Sequence, residues 1–123
     1  MLTRELGDDI MSSLPMRLIT QKRIVHFMVH SPASVKELGS WVKVIKSAAW
    51  TNWADAKAIY GHRLDVVKVS SSTSVGVFDI MNNRWRFIVA IHFSARAALR
   101  GRVYVLRILT HKEYDKNIWK KEL

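Results

Sequence analysis

The sequence predicts an α+β domain in which helices precede a small antiparallel strand meander and a last helix closes the chain. Three observations carry this. Apolar residues recur at steps of three or four across residues 35–49 and alternate from residue 64 onward. Ser34 with Glu37, and Thr110 with Glu113, have the spacing of capping boxes that open helices. Asn82-Asn83 separates two strand-like runs, where a tight hairpin turn belongs. Helices gathered ahead of a meander define the α+β class.

The totals fit a single domain. The chain has 123 residues, 49% of them hydrophobic, enough for one core and too many for disorder. Cysteine is absent, so neither disulfides nor thiolate metal sites are available. No apolar run approaches the roughly 18 residues of a membrane span. Arg4, Glu5, Asp8 and Asp9 give the start no signal-peptide layout, so a cytoplasmic protein without membrane contact is expected.

Residues 1–15 are polar and mildly acidic and read as a flexible extension, with the domain over residues 16–123. Residues 16–20 suit a short first strand. Ile24, Val25, Phe27 and Met28 then suggest a helix that stops before Ser31-Pro32. In the next helix, Val35, Leu38, Val42, Ile45 and Ala49 form the expected core stripe. Lys36, Lys43 and Lys46 lie off it, on a solvated face. A cap at Asn52 to Asp55 opens another helix, which carries Lys57 and ends at Gly61.

Residues 64–69 form a strand, residues 70–74 a flexible polar connection, and residues 75–80 the next strand. Residues 84–93 alternate. Arg84, Arg86, Ile88, Ala90 and His92 face one way and should be partly open. Trp85, Phe87, Val89, Ile91 and Phe93 face the other and should pack on the helices. A loop over residues 94–101 carries Arg96 and Arg100. The last strand, residues 102–109, has a less regular pattern, and the second capping box starts the terminal helix.

Charge narrows the function. Twenty basic residues stand against ten acidic ones, a net +10, and from Met16 onward the counts are 19 and 7. A small domain this basic meets a polyanion, and nucleic acid fits best. Two-metal phosphoryl chemistry needs clustered carboxylates, which the scattered acids do not supply. Metal-free RNA cleavage needs less. The RNA 2′-hydroxyl attacks the neighbouring phosphate while the protein supplies a base, an acid and positive charge. Arg86, His111, Lys112 and Tyr114 are residues of the required types. Arg86, central in a strand and off its apolar face, is the hardest to explain by packing.

Five segments then acquire a family look: residues 16–22 (MRLITQK), 54–57 (ADAK), 77–80 (VFDI), 83–86 (NRWR) and 110–115 (THKEYD). In this order they resemble the HigB toxins of type II toxin–antitoxin systems. The resemblance implies a RelE-like small antiparallel sheet, with two or three N-terminal helices on one face and a C-terminal helix. It also implies an mRNA interferase that cuts mRNA at the ribosome; from the residue types above, cleavage is expected to need no metal or cofactor. A HigA-type helix-turn-helix antitoxin would neutralise it, and operator DNA would be met only through that antitoxin.

Matched motif by motif, Arg86, His111, Tyr114 and Lys57 are the expected catalytic residues, with Asp115 orienting or capping. Lys22, Arg84, Arg102 and Lys112 are expected to bind RNA. Two departures from the family pattern stand out. Many members have an arginine at the place of Leu106, whereas Arg107 is one step along and expected on the opposite strand face. The connection over residues 69–74 is also longer than usual. Two alternatives share the same residues: a ParE-like toxin that inhibits gyrase, and a basic RNA-binding module without chemistry.

Overall fold

The computed structural model describes residues 15–94 and 100–123. Most of the expected 1–15 extension, and Arg96, lie outside the described residues. The elements in order are β1 (Arg17–Leu18), α1 (Gln21–His30), α2 (Val35–Ser47), α3 (Trp53–Tyr60), β2 (Leu64–Lys68), β3 (Ser74–Ile80), β4 (Trp85–His92), β5 (Arg102–Thr110), α4 (His111–Asp115) and α5 (Ile118–Glu122). They form an α+β domain around a sheet of strand order β1-β5-β4-β3-β2. Neighbours are antiparallel except β1, which pairs parallel to β5.

The main core lies between one sheet face and the first three helices. Phe78, Phe87, Val89 and Val105 meet Ile24, Leu38, Trp41 and Ile45, all buried. Fully burying an aliphatic or phenyl side chain contributes about 1.5–3 kcal/mol, so this layer is the main source of stability. Gly76 of β3 is required at its position, because a Cβ there would stand 2.5 Å from the Trp53 ring.

Several expectations change on this face. On α2 the buried positions are Leu38, Trp41 and Ile45, while Val35 is 51% exposed and Ala49 is exposed too. The stripe is turned because Trp41, the largest side chain on the helix, takes the centre against Phe78 and Phe87. The Ser34–Glu37 capping box does not form. Ser34 is buried and donates to the Ser31 carbonyl (2.7 Å), and a Glu37 carboxylate oxygen accepts from the Met81 amide (2.8 Å). Glu37 therefore ties α2 to the β3–β4 turn. That turn is the expected tight one, with Met81, Asn82 and Asn83 all at positive φ.

The second sheet face was expected to be partly open around Arg86, but it is covered there. Val69, Val75, Val77, Ile88 and Trp119 form a smaller buried cluster beneath the chain terminus. Instead of one terminal helix there are two short ones, because Asn117 adopts a left-handed conformation (φ 61°) between them. Residues 69–73 form a closed turn rather than a free linker. Val69 donates to the Thr73 carbonyl, and Ser70 donates to the Lys120 carbonyl of α5, both at 3.0 Å.

The irregular pattern of β5 has a definite cause. Trp85 pairs with Thr110 and Ile88 with Arg107, but Val89 pairs with Val105. Leu106 is the extra residue of a β-bulge, which reverses the parity of the strand. Val103 and Val105 face the helices, and beyond the bulge Arg107 and Leu109 face the other way. Arg107 is thus brought onto the face of Arg86 and Ile88, contrary to the expectation from sequence spacing.

Candidate active site

The site begins with hairpin arithmetic. The β3–β4 register places Asp79 opposite Arg86. Paired side chains share a face, and Arg86 Nε lies 3.2 Å from Asp79 Oδ1. Arg86 Nη1 donates to the Asn83 carbonyl at 2.9 Å. The Arg86 side chain is only 10% exposed, so its charge is taken from water and needs these partners. Among the described residues Nη2 has no hydrogen-bond partner, which leaves one edge of the guanidinium for a ligand.

The second half arrives from α4. Thr110 Oγ1 accepts from the Glu113 amide (3.1 Å), and Glu113 Oε1 accepts from the Thr110 amide (2.9 Å), completing the expected capping box. This starts the helix directly off β5. His111 and Tyr114, three residues apart, therefore lie on one side of it. Tyr114 reaches over Arg86, whose Cζ is 5.4 Å from the ring centre. The same ring stacks on Trp119 at 5.2 Å, and Trp119 Nε1 donates to the Tyr114 carbonyl at 3.1 Å. Trp119 is 3% exposed and fixes the ring from behind.

Burial pushes the Tyr114 phenol above its usual pKa. Asp65, Asp79 and Asp115 add to the rise and Arg86 opposes it. The hydroxyl is accordingly protonated at neutral pH, a hydrogen-bond and proton donor rather than a base. His111 sits at the rim. Its amide donates to the Arg84 carbonyl (3.2 Å), and its Nδ1 is 3.4 Å from Asp115 Oδ2. Both side chains are more than half exposed, so Asp115 orients the imidazole more than it binds it.

The structure thus brings Arg86 and Tyr114 into contact, with His111 and the exposed Lys112 on the helix that carries Tyr114, and Arg84 alongside through its backbone. Lys57 is not part of this group. Its ammonium donates to the carbonyls of Leu64 (2.8 Å) and Gly61 (3.4 Å), closing the end of α3 beside β2. Strand β2 is two strands from Arg86, roughly 10 Å away. Lys22 is exposed on α1, on the helical side. Arg102 pairs with His92 at the far end of the sheet, six residues from Arg86 along β4 and so roughly 20 Å away.

Two contributors carried no expected role in the site, and a third, Arg107, was expected on the opposite strand face. Asp79 was readable from the turn, since equal steps back and forward from it reach Arg86. Trp119 offered no local signal. Arg107 reaches this face only through the bulge, and its Nε is 4.0 Å from Glu122 Oε1 of α5. Among the described residues, no group of three or more His, Asp or Glu side chains is placed to hold a metal ion. Among those residues, too, no helix is long and apolar enough to cross a membrane.

A five-stranded, mostly antiparallel sheet with several helices in an α+β domain is consistent with the RelE-like fold. The family model of HigB toxins, the RelE-like toxic component of a toxin-antitoxin system, matches residues 34–117, and the chain belongs to that family. An antitoxin partner follows from that membership. Comparison with curated protein sequences and with solved structures gives no match.

Proposed function

We propose that this toxin is an endoribonuclease that cleaves mRNA, acting at the ribosome in the cytoplasm, and that a HigA-type helix-turn-helix antitoxin neutralises it. On this reading operator DNA is met only through the antitoxin. The observation that supports the reading best is Arg86, buried in a strand yet with one guanidinium edge unpaired, beneath a protonated tyrosine and beside an oriented histidine. Nη2 is not among the buried atoms left without a partner, so this edge opens to solvent, where a phosphate oxygen can meet it.

In this mechanism the RNA 2′-oxygen attacks the adjacent phosphorus and the bond to the 5′-oxygen breaks, leaving a 2′,3′-cyclic phosphate and a 5′-hydroxyl. His111 takes the 2′ proton, with Asp115 holding its ring. Arg86 stabilises the charge that builds on the phosphoryl oxygens. Tyr114, held protonated, donates to the phosphate or the departing 5′-oxygen. Arg84 and Lys112 flank the same rim and bind the neighbouring backbone. Lys22, Lys57 and Arg102 lie apart from the reacting groups, on the outer basic surface.

The test is induction of the protein in bacteria with mapping of new 5′ mRNA ends, followed by cleavage assays with purified protein. The reading requires new ends that disappear in Arg86→Ala and His111→Ala proteins that remain folded. It also requires cleavage that resists a chelator and stops when the 2′-hydroxyl at the cut site is replaced by hydrogen. Growth arrest without RNA cleavage, unaffected by either substitution, would instead favour inhibition of a protein target such as gyrase.

A further inference from the structure

A second basic feature lies just across the free edge of β5. Strand β1 pairs with β5 only at Arg102 and Val103. Further along, Arg23 of α1 reaches over the exposed edge, and its Nη1 donates to the carbonyls of Val105 (2.8 Å) and Leu106 (2.7 Å). Arg107 Nη1 donates to the same Leu106 carbonyl from the other side, at 2.9 Å. One oxygen thus holds two guanidinium groups within roughly 6 Å of each other. Like charges this close repel; the Glu122 carboxylate, 4.0 Å from Arg107 Nε, offsets part of this at an exposed position, and a bound anion would relieve the rest.

The bulge residue is at the centre of this arrangement. Arg23, His26, His30 and Arg107 surround a groove of about 360 Å³ floored by Phe27, Leu106 and Ile108. His30 Nδ1 donates to the His26 carbonyl (3.0 Å), so its other ring nitrogen is free to face a ligand. Arg107 is a diagonal neighbour of Arg86 on the adjacent strand, roughly 7–8 Å away along the backbone. The groove is lined by none of Arg86, His111 or Tyr114, and Arg107 is the residue that links it, across the sheet edge, to their face.

We infer that this groove is a nucleotide subsite for the RNA strand next to the scissile phosphate. Arg23 and Arg107 share one backbone phosphate, and the apolar floor and the histidine rings receive the attached base. The Leu106 bulge is what allows it, since it turns Arg107 onto the Arg86 face while leaving the Leu106 carbonyl at the edge. The inference extends the ribonuclease reading and rests on it for its substrate class.

The test uses a single-stranded 2′-fluoro RNA 12-mer, which cannot be cleaved by its own 2′-hydroxyl, with fluorescence anisotropy at several salt concentrations. The proteins are wild type, Arg107→Ala, His26→Ala/His30→Ala, and Lys46→Ala as a control on the solvated face of α2. Arg107→Ala should weaken binding about 5–10-fold and lower the salt slope by about one, the signature of a lost phosphate contact. The double histidine variant should weaken binding with little change in slope, and Lys46→Ala should match wild type. Equal affinity of all four proteins, or no binding by wild type, would overturn the subsite. So would loss of antitoxin binding in the groove variants with RNA affinity intact. If groove-dependent binding holds but wild type cuts no RNA, the subsite stands and the ribonuclease reading fails.

Discussion

The Cζ of Arg86 lies 5.4 Å from the centre of the Tyr114 ring, joining a strand residue to a helix residue 28 positions later. A cation over an aromatic face is attracted by roughly 0.5–2 kcal/mol, more when water is excluded. Here water is largely excluded, because Trp119 backs the ring and the Arg86 side chain is 10% exposed. On the proposed ribonuclease reading, the contact couples the charge that would bind the phosphate to the group that would donate a proton.

Arg86→Ala should abolish RNA cleavage and also destabilise the fold. It leaves Asp79, with a side chain only 23% exposed, facing an empty space without its counter-ion. Losing one partner of such a pair costs about 1–3 kcal/mol. Arg86→Ala/Asp79→Ala should recover part of that stability and none of the activity. Thermal unfolding and cleavage assays on both variants separate the two roles. If the double variant cleaves RNA, Arg86 is only structural.

Tyr114→Phe isolates the hydroxyl. The ring keeps its stack on Trp119 and its contact with Arg86, so the melting temperature should stay within about 1 °C of wild type. Cleavage should fall roughly 10²-fold or more, the usual loss for a missing proton donor. The sign of the pH dependence follows from the raised phenol pKa. The donor is protonated below its ordinary value of 10.0 and beyond it, so an alkaline loss due to Tyr114 should begin above 10.0. A cleavage rate unchanged in Tyr114→Phe would remove the residue from the proton path.

Much of this site was legible in the sequence, and what was missed has physical causes. The Thr110–Glu113 box depends on neighbours three residues apart and formed as expected. The Asn82-Asn83 turn also formed, and counting outward from it gives the Asp79–Arg86 pair. The Ser34–Glu37 box has the same spacing, yet Glu37 bonds the Met81 amide 44 residues away. A tertiary partner won that carboxylate, and local spacing carries no trace of it. Val103, Val105 and Ile108 change parity along β5, which in principle marks a bulge, but locating it at Leu106 takes the partner strand. The cover supplied by Trp119 depends on Asn117 turning the chain back, a long-range outcome of one residue's backbone.

Thr110→Ala should test whether the helix cap positions His111. Losing an N-cap hydroxyl costs about 1 kcal/mol, or roughly 4 °C in melting temperature for a domain of this size. Cleavage should drop further than that loss of stability explains, because the cap fixes the first turn that carries His111 and Tyr114. Thr110→Ser, which keeps the hydroxyl, should restore both. Full cleavage by a destabilised Thr110→Ala protein would show that the cap does not set the site.

Glu113 adds an acid dependence to the same cap. Hydrogen bonds from the Thr110 backbone and then from its side chain hold the Glu113 carboxyl below its ordinary value of 4.5. A lowered folded pKa contributes stability that is present above the unfolded value and lost as pH falls through the folded one. The melting-temperature difference between wild type and Glu113→Ala should therefore hold from pH 7 to about 5 and shrink below 4.5. A difference that is constant down to pH 3 would contradict the ionised cap.

Gly76→Ala separates the two faces of the sheet. The new Cβ would stand 2.5 and 2.7 Å from two Trp53 ring carbons and 3.1 Å from Leu64 Cδ1, so the indole must move. Overpacking of this kind costs about 1–3 kcal/mol. Trp53 also meets Phe93 edge-on at 5.4 Å, so that contact is strained as the ring shifts, and tryptophan fluorescence should report it. Pairing the change with Trp53→Leu should return part of the stability, since the bulky obstacle is gone. Arg86 and Tyr114 lie on the opposite face, behind the sheet. Gly76→Ala should therefore lower the melting temperature while leaving cleavage at 25 °C within about twofold of wild type, a ratio worth only ~0.4 kcal/mol. A large loss of cleavage in protein that is still folded would mean that the helix-facing core and the candidate site are coupled through β3.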